Sequence, residues 1–176
     1  GGFIVGFDND PPSIFERLST FIQESGIVTA MVGLLNAPRS TKLYQRLAKE
    51  GRLLKDVSGD NTDLSMNFIP KMDYEILIKG YEKILSRIYS PEPYYERVRE
   101  FLREYKPLQK KAFRFHLSYL GAFFKSILLL GIIEKERAYY WKLFLWSLFR
   151  RPQLFHLAIT FAIYGFHFRK VFENCL

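Results

Sequence analysis

Two apolar stretches set the architecture of this chain: residues 3–7 read FIVGF, and residues 27–35 read IVTAMVGLL. Their length and apolar content predict two buried strands, the first closed by the turn sequence DNDPP at 8–12. Apolar residues recur between them at helical spacing, with Ser13 as the predicted N-cap and Gly26 as the stop. The order strand, helix, strand predicts a parallel pair with a right-handed crossover.

A second helix is predicted from Thr41 to Glu50, ahead of Gly51, which completes a βαβα unit. Neither strand alternates apolar and polar residues, so we expect both faces of the sheet to be covered. The sequence starts at Gly1, directly before the first strand, with no charged segment or cleavage site typical of a signal peptide. We therefore expect the chain to be a fragment of a larger protein.

The rest of the chain carries no further strand pattern. Residues 52–72 are polar and irregular, and helices are then predicted at about 73–89, 90–105, 108–132, 134–150 and 153–172. The predicted fold class is α/β followed by all-α. The predicted domains are a β/α part at 1–55, a polar connecting loop at 56–72, and a helical domain of about five helices at 73–176 that is basic and aromatic from 106.

Charge is distributed unevenly along the 176 residues. Basic residues number 26 and acidic residues 18, which gives a net charge of +8. Residues 106–176 hold 12 basic and 3 acidic side chains, and 17 of the 30 aromatic residues. A hydrophobic fraction of 48% excludes a disordered chain. The single cysteine, Cys175, excludes a cysteine-only cluster or zinc site within this chain, and no metal site is predicted.

The basic carboxyl-terminal part predicts an anionic partner. Its apolar runs at 117–133 and 154–168 are short and interrupted by polar residues, so neither is expected to span a membrane. Basic and aromatic residues gather on one predicted helix and indicate a membrane-facing surface: Trp141, Trp146, Arg150 and Arg151. The alternative is a buried helical core with a solvated basic face. Nucleic acid is a less favoured partner, because the aromatic residues follow helical periodicity and no nucleic-acid motif is present.

Several motifs resemble those of a known enzyme group. Residues 2–9, GFIVGFDN, resemble the G-x-I-x-G-x-x-E signature on the fifth strand of radical S-adenosylmethionine (SAM) barrels, with Asn9 in place of the glutamate and Asp10 next to it. Residues 31–44, MVGLLNAPRSTKLY, resemble the sixth strand and the turn after it, so the resemblance implies that residues 1–55 are the last two β/α units of a partial TIM-type radical SAM barrel. Stretches such as NFIPKM at 67–72 are similar to the helical domain that follows the barrel in cobalamin-binding radical SAM proteins, a group that includes hopanoid methylases.

This resemblance implies roles for particular residues. The SAM adenine pocket would include Gly2, Ile4, Gly6, Val32 and Leu34, the alternative being strand and core packing alone. Three polar residues after the barrel would contact substrate or cap the site: Asn61, Asn67 and Lys71. Their alternative role is in an ordered linker whose polar side chains satisfy turns.

The resemblance also implies a function. The parent protein would be a cobalamin-dependent radical SAM enzyme, a methyltransferase or related C–H functionalising enzyme acting on a lipid or other apolar substrate. Its 4Fe-4S cluster and cobalamin would be bound outside this chain, by a barrel and an amino-terminal domain of the same polypeptide, and this part alone would be inactive. The predicted location is cytoplasmic, with peripheral association at the inner face of the membrane as a variant. The alternative function is a non-enzymatic, basic, amphipathic helical module that docks on anionic membrane.

Overall fold

Two short parallel strands form the amino-terminal part of the protein. The computed structural model describes residues 1–54, 66–107 and 117–175. Strand β1 (Gly2–Val5) leads into helix α1 (Ile14–Glu24), which crosses over to strand β2 (Met31–Leu34). The strands pair in parallel, with Gly2 opposite Met31 and Ile4 opposite Gly33, and helix α2 (Lys42–Lys49) follows. The predicted βαβα order and parallel pairing are therefore confirmed.

The second strand is shorter than its apolar run of residues 27–35. Pairing with β1 starts at Met31, whereas the carbonyls of Ile27 and Val28 accept hydrogen bonds from the guanidinium of Arg97 at 3.0 and 3.4 Å. These two carbonyl groups are thus paired with a side chain and not with a neighbouring strand. Ser13 lies at the predicted N-cap position of α1, but its backbone is already helical and its side chain makes no capping hydrogen bond.

The carboxyl-terminal part is helical. The helices are α3 (Tyr74–Tyr89), α4 (Pro91–Glu104), α5 (Leu117–Ser126), α6 (Arg137–Arg150) and α7 (Phe155–Cys175). A π-helical segment (Ile127–Ile133) continues α5, and a 3-10 turn (Pro152–Leu154) precedes α7. The predicted start of α3 is confirmed, because Asp73 caps it by accepting the Ile76 N–H at 3.1 Å. The helix predicted from 108 lies partly outside the described residues, and its end is π-helical instead of α-helical.

The sheet is covered on one face only. Phe3 meets Phe21 of α1 edge to face at 6.1 Å between ring centroids, and the Tyr81 hydroxyl of α3 donates to the Val32 carbonyl at 3.0 Å. On the other face, Ile4 is 54% exposed and Met31 53% exposed. The prediction that both faces are covered is thus wrong within the described part of this chain, because α1 and α3 lie on the same side of the two strands.

One core runs from the covered face of the sheet into the helices. Helix α3 lies against α1 closely enough that a Cβ on Gly80 would come within 2.3 Å of the Phe15 ring. Further along, the Tyr94 hydroxyl donates to the Phe161 carbonyl of α7 at 2.7 Å, and the Tyr89 ring lies 5.0 Å from that of Phe168. The predicted domain boundaries stay a prediction.

None of the helices, within the described residues, is long and apolar enough to cross a membrane.

Candidate functional site

The open face of the sheet is an apolar surface made of two large and two small residues. Because side chains alternate along a strand, the parallel register places Gly2, Ile4, Met31 and Gly33 on this face. A Cβ built on Gly2 or on Gly33 would meet no atom within 4 Å. Packing inside the described chain therefore does not explain why these two positions are glycine. They leave room for another molecule or segment to approach the strand backbone.

A tight turn ends β1. Gly6 has a φ of +102°, a conformation that residues with a side chain rarely adopt. Asp10 Oδ2 accepts the backbone N–H groups of Gly6 and Phe7, both at 2.9 Å. The glycine at position 6 thus serves this turn, and Asp10 holds the turn in place.

The five residues predicted for the adenine pocket do not share a face. Gly2 and Ile4 lie on the open face, and Gly6 lies in the turn beyond it. Val32 is buried, and both Val32 and Leu34 lie on the face that α1 and α3 cover. Side chains alternate between the two faces along β2, so Gly33 lies on the opposite face from Val32 and Leu34. Gly33 was not among the residues predicted from sequence. Counting alternate residues from Met31 would have found it.

A charged cluster lies just past the carboxyl end of β1. Asp8 Oδ1 lies 2.7 Å from Arg52 Nη2, and Asp8 Oδ2 lies 2.9 Å from Arg46 Nη2. Arg52 also pairs with Glu50 at 2.8 Å. The hydrogen bond from Arg52 lowers the pKa of Asp8, against an opposing effect of burial, and the positive charges of Arg52, Arg46 and Lys71 lower it further. Parallel sheets commonly bind ligands at this carboxyl edge.

The predicted substrate residues have different settings. Asn67 is buried and clamps the loop after β2, because its amide exchanges two 2.8 Å hydrogen bonds with the backbone of Ala37. Asn67 thus orders the chain after β2, as the ordered-linker alternative describes, and its role toward a substrate stays a prediction. Lys71 is exposed and lies near the Asp8 cluster. Asn61 lies outside the described residues.

Trp141 differs from the other residues predicted to face a membrane. Its indole N–H donates to the Gly131 carbonyl at 2.9 Å, and its ring packs against Phe144 at 5.1 Å. Trp141 therefore points into the helical part, where it fastens α6 to the π-helical segment. A buried donor needs a partner, and the carbonyl of Gly131 supplies it.

The other three line an open groove between α4 and α6, with a volume of about 490 Å³. We call it the arginine groove, and its lining residues are Arg99, Arg103, Trp146, Arg150 and Arg151. The Arg99 guanidinium lies over the Trp146 ring at 5.6 Å. Arg99 and Arg103 were not predicted from sequence, although their spacing of four residues on α4 places them on one helix face.

The family of this chain follows from its similarity to known proteins. Residues 41–176 match a family described as a domain of unknown function (DUF4070), and the chain belongs to that family. An uncharacterized methyltransferase, sll1242, from Synechocystis sp. is 32% identical over 175 residues, 98% of this chain and 33% of that protein. The hopanoid C-2 methylase of Rhodopseudomonas palustris is 34% identical over 91 residues, 52% of this chain and 16% of that protein.

These matches confirm the resemblance to the hopanoid methylase group that the motifs predicted. The names of both relatives support a methylase-like family. The chain spans about a third of the length of the first relative and less of the second. No solved structure matches the chain.

Proposed function

We propose that this chain is the carboxyl-terminal part of a cobalamin-dependent radical SAM methyltransferase that acts on a lipid or other apolar substrate. The observation that carries the proposal is the open apolar face of a two-stranded parallel sheet in a family whose relatives bear methylase names. A two-stranded sheet is marginal alone, and parallel strands normally have both faces covered. Further strands of the same polypeptide would continue this sheet into a barrel.

The residues of the open face fit the adenine of SAM. A flat heterocycle can lie against backbone where no Cβ intervenes, which Gly2 and Gly33 allow. Ile4 and Met31 are exposed beside them and offer apolar contact. We therefore assign Gly2, Ile4, Met31 and Gly33 to the adenine site, in place of Val32 and Leu34 from the sequence prediction.

The chain's own residues would position and shield the cofactor. When bound, SAM with an iron–sulfur cluster would supply the hydrogen-abstracting chemistry and cobalamin the methyl group, chemistry that belongs to the cofactors. The apolar floor of the open face would exclude water from the adenine. The Asp8–Arg52 pair holds the turn after β1 at the carboxyl edge, where it would keep the strand end fixed beside the reacting centre.

An apolar substrate is favoured by one relative and by the surface of this chain. That relative is named for methylation of a hopanoid at C-2. The carboxyl-terminal part also exposes large apolar side chains, among them Phe124, Ile132 and Phe149. Such side chains suit a protein that meets its substrate at a lipid surface.

Activity of the full-length protein tests this proposal. The protein would be purified without oxygen, its cluster reconstituted, and then supplied with SAM, a reductant and cobalamin. We expect 5′-deoxyadenosine, and transfer of label from methyl-labelled SAM into a lipid extract but not into a water-soluble extract. A protein with an intact cluster that makes no 5′-deoxyadenosine with either extract would contradict the proposal.

A further inference from the structure

The arginine groove gathers positive charge without a matching set of acidic side chains. Four of its five lining residues are arginines, and none is acidic. The only carboxylate bonded to them among the described residues is Glu100, which lies 2.9 Å from Arg103. A groove with this balance favours an anion.

One arginine is partly desolvated within the groove. The Nε atom of Arg99 is buried and makes no hydrogen bond to any described residue. Burying a donor without an acceptor costs free energy, which a ligand with an acceptor oxygen would recover. Arginine presents its donors as a planar fork that matches the oxygens of a phosphate group, whereas lysine offers a point charge. The chemistry of the groove is therefore that of a phosphate site.

Exposed apolar side chains lie beside the groove. Phe149, next to Arg150 in sequence, is 77% exposed, and Leu145 lies one turn before it on the outer side of α6. Basic residues beside exposed aromatic and aliphatic ones suit the boundary between headgroups and acyl chains of a membrane.

We propose that the arginine groove binds the phosphate of an anionic lipid headgroup, so that this end of the helical part docks on a membrane with Phe149 in the interface. Charge complementarity selects this occupant. The groove supplies the cations, and the apolar residues beside it supply contacts that a soluble anion would not use. Three of the residues predicted from sequence, Trp146, Arg150 and Arg151, act in this surface, whereas Trp141 does not.

Vesicle sedimentation with the full-length protein tests the docking. We expect binding to mixed vesicles of phosphatidylglycerol and phosphatidylcholine, and little binding to phosphatidylcholine alone. The double variant Arg99→Gln, Arg150→Gln should bind the anionic vesicles roughly tenfold more weakly, since each basic residue near the surface adds to the attraction. Phe149→Ser, which alters an exposed side chain, should also weaken binding but leave the thermal melt unchanged.

The matched control removes two charges elsewhere. Arg17→Gln with Arg87→Gln changes exposed arginines on α1 and α3, and its vesicle binding should stay within about twofold of wild type. Equal losses in the control and groove variants would overturn the proposal, because net charge alone would then account for binding. Protein that stays off anionic vesicles, yet is stabilised by inorganic phosphate through Arg99 and Arg150, would show a soluble anion as ligand and overturn docking. The assay needs no catalysis, so its failure leaves the proposed function standing.

Discussion

The two faces of the small sheet are built on the same strands and have opposite properties. On the covered face, hydroxyls of α3 bind β2 and the residue before it: Tyr81 donates to the Val32 carbonyl at 3.0 Å and Tyr89 donates to the Ala30 carbonyl at 2.9 Å. On the open face, Ile4 and Met31 are exposed, and Gly2 and Gly33 have no side chain to cover the strand backbone. The covered face therefore stabilises the fold, and the open face is available for binding. Substitutions on the covered face should therefore lower stability, and substitutions on the open face should weaken binding.

The covered side should show the largest effect on stability, at Arg97. Its guanidinium is buried and donates to the carbonyls of Ile27, Val28 and Ile88, and to the side chain of Gln23 at 2.8 Å. Arg97→Met leaves these buried acceptors unpaired. We expect a loss of about 3–5 kcal/mol in the free energy of unfolding, measured by urea denaturation.

The exposed Arg87 of α3 is the control for that change. Arg87→Met should stay within about 0.5 kcal/mol of wild type, as is usual for surface positions. Comparable losses for the two variants would contradict a structural role specific to Arg97.

High pH should also destabilise the protein, through buried tyrosines on the covered side of the sheet and among the helices, with a smaller contribution from each tyrosine than from Arg97. Burial raises the pKa of Tyr89 and of Tyr95 to about 12 each. The folded protein thus keeps protons that the unfolded chain loses near pH 10. Stability is complete below pH 10 and falls as the pH rises toward 12, by about 2–3 kcal/mol per tyrosine.

Tyr89→Phe isolates one contribution to this loss. The variant lacks the titrating hydroxyl, so its stability should fall less steeply between pH 10 and 12, although it starts about 1 kcal/mol lower from the lost bond to Ala30. Parallel curves of unfolding free energy against pH for the two proteins would show that Tyr89 does not titrate with folding.

The charged cluster around Asp8, at the carboxyl edge of the sheet, should contribute less to stability. Its contribution should be lost at acid pH. Asp8→Asn removes the charge that pairs with Arg46 and Arg52 and should cost about 1–2 kcal/mol, since Arg52 keeps Glu50 and the Ile69 carbonyl. Because the pKa of Asp8 is lowered by folding, its contribution is present above about pH 4 and is lost as the pH falls through the folded value.

The free energy of unfolding measured from pH 7 down to pH 2 checks this behaviour. The difference between wild type and Asp8→Asn should shrink as the pH falls. A difference that is constant across this range would mean that the charge of Asp8 contributes nothing.

Local sequence signals predicted much of the fold. Asp73 and the pair Ser90-Pro91 mark helix starts correctly, and the apolar runs with the intervening helix predict a parallel pair. These signals depend on neighbours in the chain, so they can be read without tertiary structure. The family resemblance rested on the same strands and their turns, and on stretches of the helical part such as residues 67–72.

The candidate site was less predictable, because long-range packing decides it. Arg97 and Asn67 look like ordinary polar residues in sequence, yet they bond to backbone 70 and 30 residues away. Which side of β2 is open depends on where α1 and α3 lie, and the structure places Val32 on the covered side and Gly33 on the open side. Trp141 likewise turns inward because the Gly131 carbonyl is within reach.

The open face is tested most directly by the dissociation constant for SAM. The substitution Gly33→Leu adds a side chain to the open face, where a Cβ would meet no atom of the described chain within 4 Å. The control, Gly121→Leu, makes the same change at an equally open position on α5. In the full-length protein, both variants should melt close to wild type. Isothermal titration should show SAM binding weakened at least about tenfold by Gly33→Leu, and within about twofold of wild type for Gly121→Leu. Unchanged SAM binding in folded Gly33→Leu would contradict the claim that this face holds the adenine.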